Sequence, residues 1–347
     1  RHYKIIMAGV DQFGGNNDAS PVIEAYKMGI AEHGEKFMRQ RMEQSAVRIL
    51  MNIFRVGLFE NPYLDPEESK SVTGNSEFMK AGFEAQLRSI VMLKNRNKTL
   101  PLSKNKSVYI PKRPSPAGRN FFMESARESF AYPVNINVVK NYFNLTENPD
   151  EADFALVVIN SPSSGNGYDR NDAGRGGNGY VPISLQYLSY DAAEARDPSI
   201  AGGDPLEKFT NRTYRGKSVI ASNIIDLKMV LDTKQVMGDK PVVVVIRMSN
   251  PMVFNEFEEF VEAILVAFGV QDQAIMEIIS GNAEPSGLLP VQMPSDMSTV
   301  EKQFEDVPFD MICHTDSEGN SYDFGFGLNW NGIIKDSRTE KYRSSSE

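Results

Sequence analysis

This chain of 347 residues has one cysteine and three histidines. The lone Cys313 excludes an internal disulfide and leaves the compartment open; it reads as a packed structural thiol. His2, His33 and His314 are too scattered to suggest a metal site by their spacing. The longest apolar run is "PVVVVI" at 241–246, far short of the roughly 20 residues a membrane-spanning helix needs. Positive charge is outnumbered, with 37 Lys and Arg against 46 Asp and Glu for a formal net charge of −9, and no Lys/Arg cluster forms a basic face. That argues against nucleic acid, whose phosphates must be met by clustered cations. No Walker sequence, G-x-S-x-G elbow or H-E-x-x-H is present. The expectation is therefore a globular protein with no cofactor, no metal, no nucleic-acid partner and no membrane segment.

The length suggests roughly two domains. Residues 1–60 read as helical. In "SPVIEAYKMGIAEHG" Ser20 is the expected N-cap and Pro21 the first helical residue, with a stop near Gly34. In the next helix Met38, Met42, Ser45, Ile49 and Ile53 recur at spacings of three and four, and Gly57 is the expected cap. "LFENPYLDPEES" is rich in proline and acid and reads as a linker, bounded at 61–75. Two helices without a sheet cannot close a core of their own. The chain also opens at Arg1 inside what reads as a folded segment, so a piece of a longer polypeptide is expected.

From residue 76 the pattern changes. "EFMKAGFEAQLRSIVMLKN" reads as one amphipathic helix ended by "TLPL". The β-rich runs "SVYI" (107–110), "VNINVV" (134–139) and "FALVVI" (154–159) then alternate with helical ones such as "FFMESARESF" (121–130). Further on come "IIDLKMVLDTKQVM" (224–237), "PVVVVI", "AILVAF" (263–268) and "DQAIMEIISG" (272–281). Strands that are apolar throughout, separated by helices, predict an α/β fold with a mostly parallel sheet sandwiched between helices. The reading places this domain at 76–335, with a long insertion at 160–222 and a polar tail at 336–347.

The insertion opens with "SSGNGYDRNDAGRGGNGY" (163–180), which packs six glycines and three asparagines just past a strand. Gly174, Gly176 and Gly179 spell G-x-G-x-x-G, but Pro182 and β-formers follow where a dinucleotide site needs a helix. Asp169, Asn171 and Asp172 offer oxygens to a cation, but a solvated turn is the better reading of them. Ligands of open α/β sheets gather at the carboxyl ends of strands, which is where this loop starts. Tyr168 offers a face on which a sugar ring or another flat apolar surface could rest. Asp169 supplies an acceptor and Arg170 a fork of donors for hydroxyl groups.

Six segments in order give the chain a resemblance to the C-terminal part of glycoside hydrolase family 3. They are "AGVDQFGG" (8–15), "AVRILMNIFRVGLFENPYLDP" (46–66), "SIVMLKNRNKTLPL" (89–102), "SGNGYDR" (164–170), "NAEPSGLLPVQMP" (282–294) and "YDFGFGLNW" (322–330). The resemblance implies the terminal helices of a truncated (β/α)8-like barrel, then an α/β sandwich domain. It implies an exo-acting, β-glucosidase-like parent working by retention, and a β-linked oligosaccharide or glycoside as substrate. The missing barrel would be a partner, a homodimer is a further option, and a periplasmic or secreted setting is suggested. Asn166, Tyr168, Asp169 and Arg170 become the substrate-binding candidates.

Retaining glycosidases need two carboxyl groups about 5 Å apart. The family's nucleophile is an Asp in a Ser/Thr-Asp-Trp setting, and no such tripeptide occurs here; Asp11 belongs to the following segment. Many members place the acid/base Glu where this chain has Asn166, and an amide cannot donate and recover a proton near neutral pH. Asp169 is the acid/base candidate within the loop, with Asp172 its neighbour. A carboxyl from the barrel or another subunit, or a weakly hydrolytic parent, are the other options. The alternative function is a non-catalytic carbohydrate-binding or dimerisation module.

Overall fold

The computed structural model describes residues 2–15, 17–115, 118–119, 125–126, 129–196, 212–304, 307 and 309–341. The chain divides into two compact units, Arg1–Met79 and Lys80–Glu347.

The first unit is helical, with α1 (His2–Met7), α2 (Ser20–His33), α3 (Glu35–Arg55), α4 (Pro66–Val72) and the start of α5 (Ser76–Ser89). Ser20 is the first residue of α2 rather than its cap; Asp18 Oδ1 accepts from both its N–H and its hydroxyl. α3 closes as the glycine suggested: Gly57 N–H bonds the carbonyl of Phe54, and Leu58 N–H that of Ile53, both at 3.1 Å. On its apolar stripe Met38 and Ser45 are buried, whereas Ile49 and Phe54 are exposed. The stretch expected to be a linker contains α4. Asp65 caps it by accepting from Glu67 N–H at 2.8 Å, and Pro66 takes the first turn, so the proline and acid there mark a helix start. Asp11 Oδ1 accepts from Ser45 Oγ at 2.7 Å and from Arg41 Nη1 at 3.0 Å. Ser45, Arg41 and Arg48 hold its pKa below the usual range, as befits a structural clamp.

The second unit is built on an eight-stranded sheet. Its strands are β1 (Val91–Asn95), β2 (Ser107–Tyr109), β3 (Asn144–Thr146), β4 (Phe154–Asn160), β5 (Val242–Arg247), β6 (Ala263–Ala267), β7 (Leu328–Asn329) and β8 (Gly332–Ile333). They lie in the order β8-β7-β1-β6-β5-β4-β2-β3. From β3 to β6 every pairing is parallel, with Val243 opposite Leu156 and Val244 opposite Ile264. β1, β7 and β8 add an antiparallel flank. β4, β5 and β6 are buried along nearly their whole length, as their unbroken apolar sequences require of a sheet covered on both faces. The helix α8 (Ile225–Met237) packs on β4 and β5, and α9 (Asp272–Ile279) buries Ile275, Met276 and Ile279.

Two readings of this region change, and a third lies largely outside the described residues. "VMLKN" is β1, not the end of a helix: so short an apolar run as Ile90–Leu93 carries no period that separates strand from helix. "VNINVV" yields the short helix α6 (Ile136–Val139), because Asn135 caps it by accepting from Asn137 N–H. "FFMESARESF" falls largely outside the described residues, as do 342–347 of the tail; its described part includes the strand Ser129–Ala131.

The segments 282–294 and 322–330 are tied to each other: Leu289 N–H bonds the Phe326 carbonyl at 2.8 Å, and Met293 N–H that of Tyr322 at 3.0 Å. A Cβ at Gly327 would lie 2.3 Å from the Gly287 carbonyl oxygen, so only glycine fits that crossing.

Candidate functional site

The insertion leaves the sheet at the carboxyl end of β4, beside the carboxyl end of β5. Ser249 N–H donates to Ser161 Oγ at 3.1 Å, and Asn250 Nδ2 to the Pro162 carbonyl at 3.3 Å, which stitches the two strand ends together. Beneath them the buried Asp226 accepts from Arg113 Nε at 2.9 Å, from Asn160 N–H at 3.1 Å and from Asn223 Nδ2 at 2.9 Å. Tyr187 OH reaches the Asn160 carbonyl at 2.5 Å, and Glu256 accepts the Tyr187 and Leu188 amides at 2.7 and 2.8 Å. Burial pushes the Glu256 carboxyl up against the opposing pull of those two amides.

On this base the loop folds into a closed clasp. Ser222 N–H bonds the Ser163 carbonyl at 2.7 Å, and Ser163 N–H bonds Asn223 Oδ1 at 2.8 Å. Asp169 N–H bonds the Gly179 carbonyl at 2.8 Å and Val181 N–H that of Gly167 at 3.1 Å, giving an antiparallel bridge between Tyr168 and Tyr180. The two tyrosine rings meet edge to face at 5.8 Å. Gly179 has φ +83°, and a Cβ there would sit 2.4 Å from the Tyr168 ring. Between the arms α7 (Arg170–Gly174) starts from Asp169, whose Oδ1 accepts from Asn171 N–H at 2.9 Å.

Asp172 and Lys217 hold the clasp shut. Asp172 Oδ2 accepts from Gly179 N–H at 2.8 Å and from Lys217 Nζ at 2.7 Å. Lys217, followed by the Gly179 amide, keeps Asp172 below the usual carboxylate range. An ionised, cation-bound carboxylate is a poor proton donor near neutrality. Of the three residues the sequence offered to a cation, Asp172 meets this ammonium, while Asp169 Oδ1 accepts from Asn171 N–H.

The sequence candidates therefore lie together on one clasp. Asn166, Tyr168 and Arg170 are exposed, and Tyr168 keeps 49% of its surface open. Asn166 Oδ1 accepts from Tyr168 N–H at 3.3 Å, which leaves its NH2 group facing outward without a partner among the described residues. The Arg170 side chain makes no hydrogen bond or ion pair among the described residues. Sequence reasoning missed Lys217, Asn223, Asp226, Arg113 and Glu256. They stand tens of residues from the loop, and no spacing motif links them.

Residues 227–330 match the family model for the glycosyl hydrolase family 3 C-terminal domain. The clasp precedes that match. Over 330 residues the chain is 28% identical to the probable β-glucosidase C of Aspergillus flavus, covering 95% of this chain and 40% of the relative. Over 328 residues it is 24% identical to the periplasmic β-glucosidase/β-xylosidase of Dickeya chrysanthemi, covering 94% and 39%. Among solved structures, β-glucosidase 3B from Thermotoga neapolitana in complex with glucose has 16% identity and a TM-score of 0.49, covering 93% of this chain and 48% of that one. The chain thus spans about 40% of the length of the curated relatives it matches. Residues 227–330 resemble the glycosyl hydrolase family 3 C-terminal domain, and along nearly its whole length the chain is similar to proteins named as β-glucosidases.

Proposed function

We propose that this chain is the C-terminal part of an exo-acting glycoside hydrolase that removes terminal β-linked sugars, β-glucosides first among them, with retention. The observation that carries the reading is the pinned clasp 163–181 at the carboxyl end of β4. It presents Asn166, Tyr168 and Arg170 outward on a backbone too constrained to be a spacer. Tyr168 offers a stacking face, and the Asn166 amide and Arg170 guanidinium offer donors to sugar hydroxyls. The clasp would form the lid side of the cleft. A barrel domain would supply the floor and the nucleophile, for which this chain has no Asp-Trp pair. The pattern of relatives that extend well beyond this chain supports that division of labour.

Asn166 cannot act as acid/base, and Asp172 is bound to Lys217. Asp169 remains the candidate within the clasp, with Oδ2 unpartnered among the described residues; the alternative donor is a carboxyl of the barrel or of a second subunit. Exposed Ile183, Leu188 and Ile220 of the insertion favour a covering surface of that kind. A periplasmic or secreted setting accords with the Dickeya chrysanthemi relative.

Assay of the full-length parent and the isolated chain on aryl β-glucosides tests the reading. Turnover by the parent and none by the chain is expected. Appreciable turnover by the chain alone would overturn the missing nucleophile, and an inactive parent that binds glucosides would favour a non-catalytic binding module. Azide rescue of Asp/Glu→Gly variants would locate the proton donor.

A further inference from the structure

We infer that Lys217 is a positioning residue for the proposed sugar-facing clasp: it sets the geometry of Asn166, Tyr168 and Arg170 without touching substrate. The inference rests on the function proposed above and adds a residue that no motif marks. Lys217 Nζ donates to three acceptors in the clasp, each at 2.7 Å: Asp172 Oδ2 on α7, Asn178 Oδ1 and the Tyr180 carbonyl. An ammonium has three donors, so its capacity is fully used at this one place.

The lysine is itself fixed. The strand Ser218–Val219 that follows it pairs with Tyr190–Asp191, and the Lys217 carbonyl accepts from Ala192 N–H at 2.9 Å. Its side chain is 25% exposed and that of Asp172 24%, so water only partly screens the pair. Through Tyr180 the hold passes to the Tyr168–Tyr180 bridge, and through Asp172 to the Gly179 amide that backs the Tyr168 ring. Without the cation, three acceptors face one another unneutralised and the two arms lose their common anchor. A guanidinium is planar, and its fork does not converge on three such oxygens, so arginine is a poor substitute.

The test uses the full-length enzyme. Lys217→Met is expected to raise KM for an aryl β-glucoside about tenfold and to leave kcat within about threefold, the mark of lost substrate placement. Lys217→Arg should recover less than half of that loss. Adding Asp172→Asn to Lys217→Met should cost less than Asp172→Asn does in the wild type, because the contact the two residues share is already gone. Hydrogen exchange on the same proteins should quicken at the Asp169, Gly179 and Val181 amides while β5 and β6 stay protected. Unchanged exchange at those three amides overturns the inference, and so does faster exchange with KM unmoved. If the parent proves inactive, the functional reading falls separately, and exchange alone decides whether Lys217 holds the clasp. Should Lys217→Met fail to fold, Asp172→Ala removes the charged acceptor of the ammonium together with the Gly179 bond, so faster exchange at Gly179 and a raised KM are expected again, and unchanged exchange there overturns the inference.

Discussion

Lys94 and Glu258, 164 residues apart in the chain, form an ion pair inside the second unit, with the lysine side chain fully excluded from solvent. Lys94 Nζ donates to the Glu258 carboxylate, to the Glu258 backbone carbonyl at 2.7 Å and to Ser317 Oγ at 2.9 Å. Ser317 N–H donates to Glu258 Oε2 at 3.2 Å, and His314 Nε2 stands 3.8 Å from it. Burial draws the ammonium below the usual lysine range against the pull of Glu258. Burial also pushes the Glu258 carboxyl up, but His314, Lys94 and Ser317 together outweigh it and bring its pKa to about 2. With three oxygens around Nζ, we take the pair as charged at neutral pH.

Removing one partner strands a charge in the core. Lys94→Met is expected to lower the unfolding free energy by about 3–5 kcal/mol. Replacing both partners with apolar residues should recover most of that loss. Urea unfolding measures both variants, and a Lys94→Met cost below about 1 kcal/mol would contradict a charged, buried pair.

The same carboxylate makes stability depend on pH. Its folded pKa lies below the unbound value of 4.5. Its contribution is therefore complete above that value and drains as pH falls toward about 2. The Tm gap between wild type and Glu258→Gln should hold level above about pH 5 and narrow as pH falls from there toward about pH 2. A gap that stayed constant over that range would place the titration elsewhere.

Asp169 serves both as a helix cap and as the acid/base candidate, and two variants separate the roles. Asparagine caps a helix start about as well as aspartate does, whereas alanine does not. In the full-length enzyme both Asp169→Asn and Asp169→Ala should cut kcat/KM at least about tenfold, with only alanine also lowering Tm. Activity within about twofold of wild type for Asp169→Asn would leave the residue as a cap alone.

Cys313 is half-buried, and burial, followed by the nearby Asp323, lifts its pKa to about 11. At pH 8 the native thiol should react with an aromatic disulfide reagent about 100-fold more slowly than the same thiol in urea. Equal rates would show that the thiol is open to solvent.

The alternation of apolar strands with helices was legible because it is a local signal. "FALVVI", "PVVVVI" and "AILVAF" have no polar side to offer, so a covered sheet was their only outlet. β1 was not legible, because "VMLKN" follows a helix without a turn residue and its lysine looks like a surface residue. Only a carboxylate 164 residues away makes that lysine internal.

The chain's own order of residues determined that a glycine-rich loop would leave the third parallel strand, and which side chains would stand on it. Glycine's freedom and the capping habit of Asp and Asn act within a few residues, so they can be read along a line. Whether that loop would be slack or clamped was decided only in three dimensions. The strand pairing that holds Lys217 brings its charge to Asp172 from 45 residues away, and an attraction between charges depends on distance in space, not in sequence.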